Sequence, residues 1–119
     1  MWRKWFNSFR FAFAGIIGLL RSEANARIHL VSAVGVIVAG IFFELTVNEW
    51  CLVALAIAFV FAAEAMNTAL EHLTNLVSPE FHPLAGKAKD VAAGAVLIAA
   101  IGAAAVGVFI FLPKILKLF

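Results

Sequence analysis

Two glutamates seven residues apart stand where a long apolar run ends, in the stretch AEAMNTALEHLTNLVSPEFHPLAGKAKD, residues 63–90. On a helix turning about 100° per residue, Glu64, Asn67, Thr68, Glu71 and Asn75 follow an i, i+3, i+4, i+7, i+11 pattern. All five then fall within about 60° either side of Glu64. Charge in hydrocarbon is costly, so a polar stripe on an otherwise apolar helix must line a helix interface or a wet cleft. Carboxylates near a membrane surface suit three tasks: relaying protons, binding a cation, and taking the proton from a hydroxyl. Three readings follow. The stripe serves phosphoryl transfer to a lipid alcohol, or it is the relay of a small proton- or cation-coupled transporter using Glu64 and Glu71. In the third it is hydrogen-bonding glue between helices of a structural subunit.

Phosphoryl transfer needs a metal, cations for phosphate oxygens and a group that accepts the nucleophile's proton. Mg²⁺ typically takes one or two carboxylates plus substrate phosphates rather than a cage made wholly of protein. Glu23 and Glu71 offer the carboxylates, Lys89 a cation, and Glu64, two helical turns deeper, a base. There is no GxxxxGK[ST] loop and no HRD or DFG element, so neither soluble kinase design applies; the Gly-Lys pair of GKAKD is a weak signal by itself. His29, His72 and His82 lack zinc spacing and read as hydrogen-bonded interface residues, with His82 set apart by its place in the polar loop.

These side chains need elements to hold them. The chain has 119 residues, of which 65% are hydrophobic and 13% charged, with a mean hydropathy of +1.05. A soluble domain of that size cannot cover so much apolar surface with so few charges, so the composition predicts one all-α integral membrane domain over 1–119. Residues 2–20, WRKWFNSFRFAFAGIIGLL, place aromatic and aliphatic side chains at three- and four-residue spacing, with Arg3, Lys4 and Arg10 on the other side. That pattern predicts an amphipathic helix lying in the headgroup region, not a cleavable signal peptide.

Three membrane helices are expected after it: 28–43, 50–77 and 91–112. The first reaches only about 24 Å. Pro79 should close the second, residues 78–90 should form a polar loop, and Pro113 should end the third. The small residues of the third suit close packing in a bundle. Cys51, alone in an apolar run, reads as a buried, inert thiol. Arg3, Lys4, Arg10, Arg21, Arg27, Lys87 and Lys89 lie on one membrane side and Lys114 and Lys117 on the other, which places the N-terminus and residues 78–90 in the cytoplasm, with ATP. Nearly every polar group gathers on that side, whereas transport needs a path through the second leaflet. A purely structural subunit leaves the glutamates and Lys89–Asp90 without a task. The net charge of +2 gives no expectation of a nucleic-acid partner.

At these residues the chain resembles the small prokaryotic lipid kinases, the diacylglycerol kinase and undecaprenol kinase family. EAMNTALE (64–71) is similar to the signature E-x-x-N-[ST]-A-[IL]-E, and AKDVAAGAVL (88–97) to A-K-D-x-x-[AS]-[AG]-A-V, at the family's separation. EANARIHL (23–30) supplies the upstream glutamate, and the resemblance covers about residues 5–112. It implies a homotrimer in the bacterial inner membrane, with active sites shared between subunits, acting on a membrane lipid with ATP as co-substrate and Mg²⁺. By motif position it implies Glu64 as catalytic base, Asn67 near the reaction centre, and Glu23 and Glu71 as Mg²⁺ ligands. Glu80, His82, Lys89 and Asp90 fall in segments that contact ATP, and Lys4 falls where the family has a basic residue near the nucleotide. Asn75 stands where the family usually has aspartate. His29 follows the N-x-[RK]-I-H form of the undecaprenol-kinase branch, which leans the acceptor toward a polyprenol.

Overall fold

A computed structural model describes residues 1–119 as four helices and no strand: α1 (Trp2–Ser22), α2 (Ala24–Phe42), α3 (Val47–Val77) and α4 (Pro83–Leu116). The all-α architecture agrees with the composition. α2, α3 and α4 are each long and apolar enough to cross a membrane. In α1 only Leu19 is buried; Trp2, Trp5, Phe6 and Phe9 are exposed. The helix touches α2 and α3 and leaves its aromatic side free, as an interfacial helix requires.

The boundaries differ from the sequence expectations in physically instructive ways. α2 begins at Ala24, not at residue 28, and its 19 residues span about 28 Å, close to a bilayer core. Only Glu23 separates it from α1, in an extended conformation (φ −109°, ψ 115°). The guanidinium of Arg27 steadies this break, donating to the carbonyls of Leu20 at 3.1 Å and Arg21 at 2.8 Å at the end of α1. α3 starts at Val47 rather than Trp50 because Thr46 caps it: Thr46 Oγ1 accepts from the Glu49 amide, and Glu49 Oε1 accepts from the Thr46 amide.

The polar loop expected over 78–90 is much shorter. Ser78–His82 is the whole connection, and Gly86, Lys87, Lys89 and Asp90 lie on the first turns of α4. His82 and Pro83 set this start, since the imidazole Nδ1 accepts from the Leu84 amide at 3.1 Å and proline fits the first helical position. Nor does Pro113 end α4, which continues to Leu116. A proline this near the terminus disturbs only the turn before it. Cys51, expected to be buried, is exposed on the surface of the chain.

α3 and α4 form an antiparallel hairpin and make the most extensive contact in the molecule. At one end Lys89 Nζ donates to Asn75 Oδ1. At the other, Lys114 Nζ lies 3.3 Å from Glu49 Oε2. α2 leans on α3, and its outer end closes on the hairpin through Leu45, Val53 and Ile110, with Trp50 and Phe43 around them. Gly40 makes this closure possible: a Cβ there would sit 2.5 Å from the Trp50 ring and 3.0 Å from Leu45 Cδ1. Glu44 turns the chain from α2 into α3 at φ 54°, in the left-handed region.

Candidate active site

The polar stripe of α3 is oriented by burial. Glu64 and Thr68 are buried, at 3% and 8% exposure, and face the other helices; Asn67 and Glu71 are half-buried, and Asn75 is exposed. The one-face pattern therefore holds, and it grades from protein interior to open surface along the helix. Asn67 Nδ2 donates to Glu71 Oε1 at 3.4 Å, a long bond between neighbours one turn apart. Asn67 Oδ1 is buried and has no partner. An orphaned buried acceptor is costly, and at such a site it calls for a donor or a cation.

Glu64 has one polar neighbour from another helix. His29 Nε2 of α2 approaches Glu64 Oε1 to 3.1 Å. This is ion-pair range without the alignment of a hydrogen bond, so Oε1 lacks a properly directed donor. His29 is half-buried and lines a mainly apolar groove with Ala33, Val36, Val53, Val60 and Phe61. A buried carboxylate beside an apolar groove has the surroundings in which a lipid hydroxyl can meet a proton acceptor.

Farther along α3 a second cluster gathers. Asn75, Glu80, His82, Gly86 and Lys89 line one cleft around the α3–α4 connection. The structure thus brings Glu80, His82 and Lys89 to one cleft. It also gives two of them local duties: His82 caps α4, and Lys89 is held by Asn75. Asp90 is exposed on the next position of α4 and does not line that cleft. Glu23 is half-buried at the α1–α2 break, next to Ser22, which lines a groove against α3 with Thr68 and His72. Lys4 is exposed near the start of α1 and does not line the Lys89 cleft. No three His, Cys, Asp or Glu side chains converge on one centre within the chain. His29 as partner of Glu64 was not legible in the sequence, because the two lie 35 residues apart and meet only through the crossing of α2 on α3.

The axial spacing orders these groups. At 1.5 Å per residue, Glu71 lies about 10 Å from Glu64 along α3, and Asn75, with Lys89, about 16 Å. A deep carboxylate, an amide–carboxylate pair and a surface cation follow one another on one line.

The profile described as prokaryotic diacylglycerol kinase matches residues 10–111. Over 112 residues the chain is 41% identical to the undecaprenol kinase of Bacillus subtilis, covering 94% of this chain and 91% of that protein. It is 43% identical over 112 residues to the diacylglycerol kinase of Synechocystis sp., covering 93% of this chain and 64% of that protein. A diacylglycerol kinase of Helicobacter pylori is 42% identical over 50 residues. These matches support phosphoryl transfer and give no support to the transport reading of Glu64 and Glu71. With a family match across most of its length and three helices able to span a bilayer, the chain belongs to the prokaryotic diacylglycerol kinase family and is an integral-membrane lipid kinase that uses ATP as co-substrate.

Proposed function

We propose that this chain transfers the γ-phosphoryl group of ATP to the hydroxyl of undecaprenol, in preference to diacylglycerol, at the cytoplasmic face of the bacterial inner membrane. The observation that carries the assignment of roles is the burial of Glu64 against His29, which lines an apolar groove, with the amide–carboxylate pair Asn67–Glu71 next along the same helix face. In this reading a lipid chain lies along apolar surface, and its hydroxyl reaches Glu64, which takes the proton as the oxygen attacks phosphorus. Asn67 holds Glu71 in place and presents its free Oδ1 to the reaction centre.

The residues fit Mg²⁺ through the chemistry of their donors. Glu23 and Glu71 are half-buried carboxylates, and the unpartnered Oδ1 belongs to the Asn67 amide whose nitrogen donates to Glu71. Glu23 and Glu71 would hold the ion together with nucleotide phosphates, and its charge would stabilise the β- and γ-phosphate oxygens. Lys89, Glu80, His82 and Asp90 attend to the nucleotide, with Lys4 supplied from α1. Lys4 does not line the Lys89 cleft of its own chain, and in a homotrimer with sites shared between subunits it would serve the nucleotide of a neighbour.

The undecaprenol preference rests on His29 in the NARIH segment and on the likeness to the Bacillus enzyme over nearly its full length. A competition assay in mixed micelles tests it. The expected result is a higher kcat/KM for undecaprenol; a clear preference for diacylglycerol overturns the acceptor assignment and leaves the base assignment standing.

A further inference from the structure

We infer that His29 is a positioning residue that acts through Glu64 and carries away the proton Glu64 takes from the acceptor hydroxyl. The inference rests on the proposal that Glu64 is the base. The observations are the 3.1 Å approach of His29 Nε2 to Glu64 Oε1 and the contrast in exposure between the two side chains, 25% for His29 and 4% for Glu64. A carboxylate so enclosed cannot hand its proton directly to water, yet it must be free of it before the next turnover. His29 is in ion-pair contact with Glu64 and is the more exposed of the two. Arg27, two residues earlier, is occupied by the carbonyls of Leu20 and Arg21. Asn67, one turn along α3, points its amide nitrogen at Glu71.

The step balances as follows. The acceptor's O–H bond breaks as its oxygen bonds to the γ-phosphorus, and the proton bonds to a Glu64 carboxylate oxygen. The bond from the γ-phosphorus to the bridging oxygen breaks, its electron pair leaving on ADP. The lone pair of His29 Nε2 then takes the proton from Glu64, restoring the carboxylate, and the imidazolium passes it from its less enclosed edge to water that enters the groove as the phosphorylated lipid leaves. The contact is close but not aligned as a hydrogen bond, and such contacts are often loose until substrate is bound.

The test uses the full chain in mixed micelles with undecaprenol and ATP, comparing His29→Gln, His29→Ala and Glu64→Gln. Glutamine keeps an N–H near the position of Nε2 but cannot take a proton. A relay therefore predicts that His29→Gln loses kcat on the order of 10²-fold, the low end for acid–base groups, with KM for both substrates within about 2-fold. Added imidazole should restore turnover to His29→Ala and not to Glu64→Gln. Wild-type kcat in His29→Gln, or no recovery of His29→Ala with imidazole, overturns the relay. Full activity in Glu64→Gln overturns the base assignment instead, so the two failures are distinguishable.

Discussion

Glu64 and Glu71 are the same side chain on the same helix face, and their surroundings divide the work between them. Glu64 is enclosed and meets a histidine; Glu71 is half-exposed and meets an amide. Glu64→Gln keeps the shape and loses the proton acceptor, so ATP binding should persist while kcat falls by about 10²–10⁴-fold. Glu71→Gln removes the carboxylate proposed to hold Mg²⁺, so nucleotide and metal affinity should fall together, and raised Mg²⁺ should restore part of the turnover. Nucleotide titrations beside kcat measurements on each variant check both outcomes. Near wild-type activity in both would return the stripe to a role as interhelical glue. The Lys89–Asn75 contact adds a prediction. Asn75→Ala releases the ammonium from its anchor, and KM for ATP should rise by about 3–10-fold, equivalent to about 1 kcal/mol of lost positioning. An unchanged KM would mean that Lys89 needs no anchor.

At the scale of elements, Gly40 and Glu44 govern how α2 returns into α3. Gly40→Ala drives a methyl into the Trp50 ring and should cost about 1–3 kcal/mol, seen as a lower unfolding midpoint in detergent. Glu44→Gly relieves the left-handed backbone at the price of a freer unfolded chain, and should stay within about 1 kcal/mol of wild type. The helices themselves were legible from apolar runs and from the 3.6-residue stripe on α3, because composition dominates wherever a segment must satisfy its backbone in lipid. Their ends were less legible. SPEFHPLAGKAKD looks like a loop by its polarity and prolines, yet His82 caps a helix and Pro83 opens it, so Lys89 projects from a rigid turn. Pro113 looked like a terminator and is carried within the last turns of α4. The site was legible as a face, Glu64 to Asn75, whereas His29 depended on a helix crossing that no local spacing encodes.

As a whole molecule, the chain exposes too much surface to stand alone in water. Its accessible area is 9151 Å², against about 6,300 Å² for a compact soluble monomer of this mass, and only 11 residues are buried. Lipid must cover much of the difference, and in the proposed homotrimer neighbouring subunits cover the rest. Light scattering corrected for detergent should give three times the 12.8 kDa chain mass; a single-chain mass in an active preparation would rule out shared sites. Orientation is tested by cysteine labelling in a Cys51→Ala background. A cysteine at Ser78 should be protected from an impermeant reagent in intact cells, and strong labelling would reverse the topology. The length of α3 carries a different consequence. Its 31 residues span about 46 Å, whereas the hydrocarbon core is about 30 Å thick, so about a third of the helix stands proud of it. With Trp50 taken at the near boundary of the core, Glu64 falls at about 21 Å, about 9 Å inside the far boundary, and Glu71 at about 32 Å, just beyond it. Bilayer thickness should then set the depth of the site: thicker bilayers would draw Glu71 below the waterline, and thinner ones would carry both carboxylates away from the lipid hydroxyl that Glu64 is proposed to meet. Turnover across phosphatidylcholines of increasing acyl length should therefore pass through a maximum.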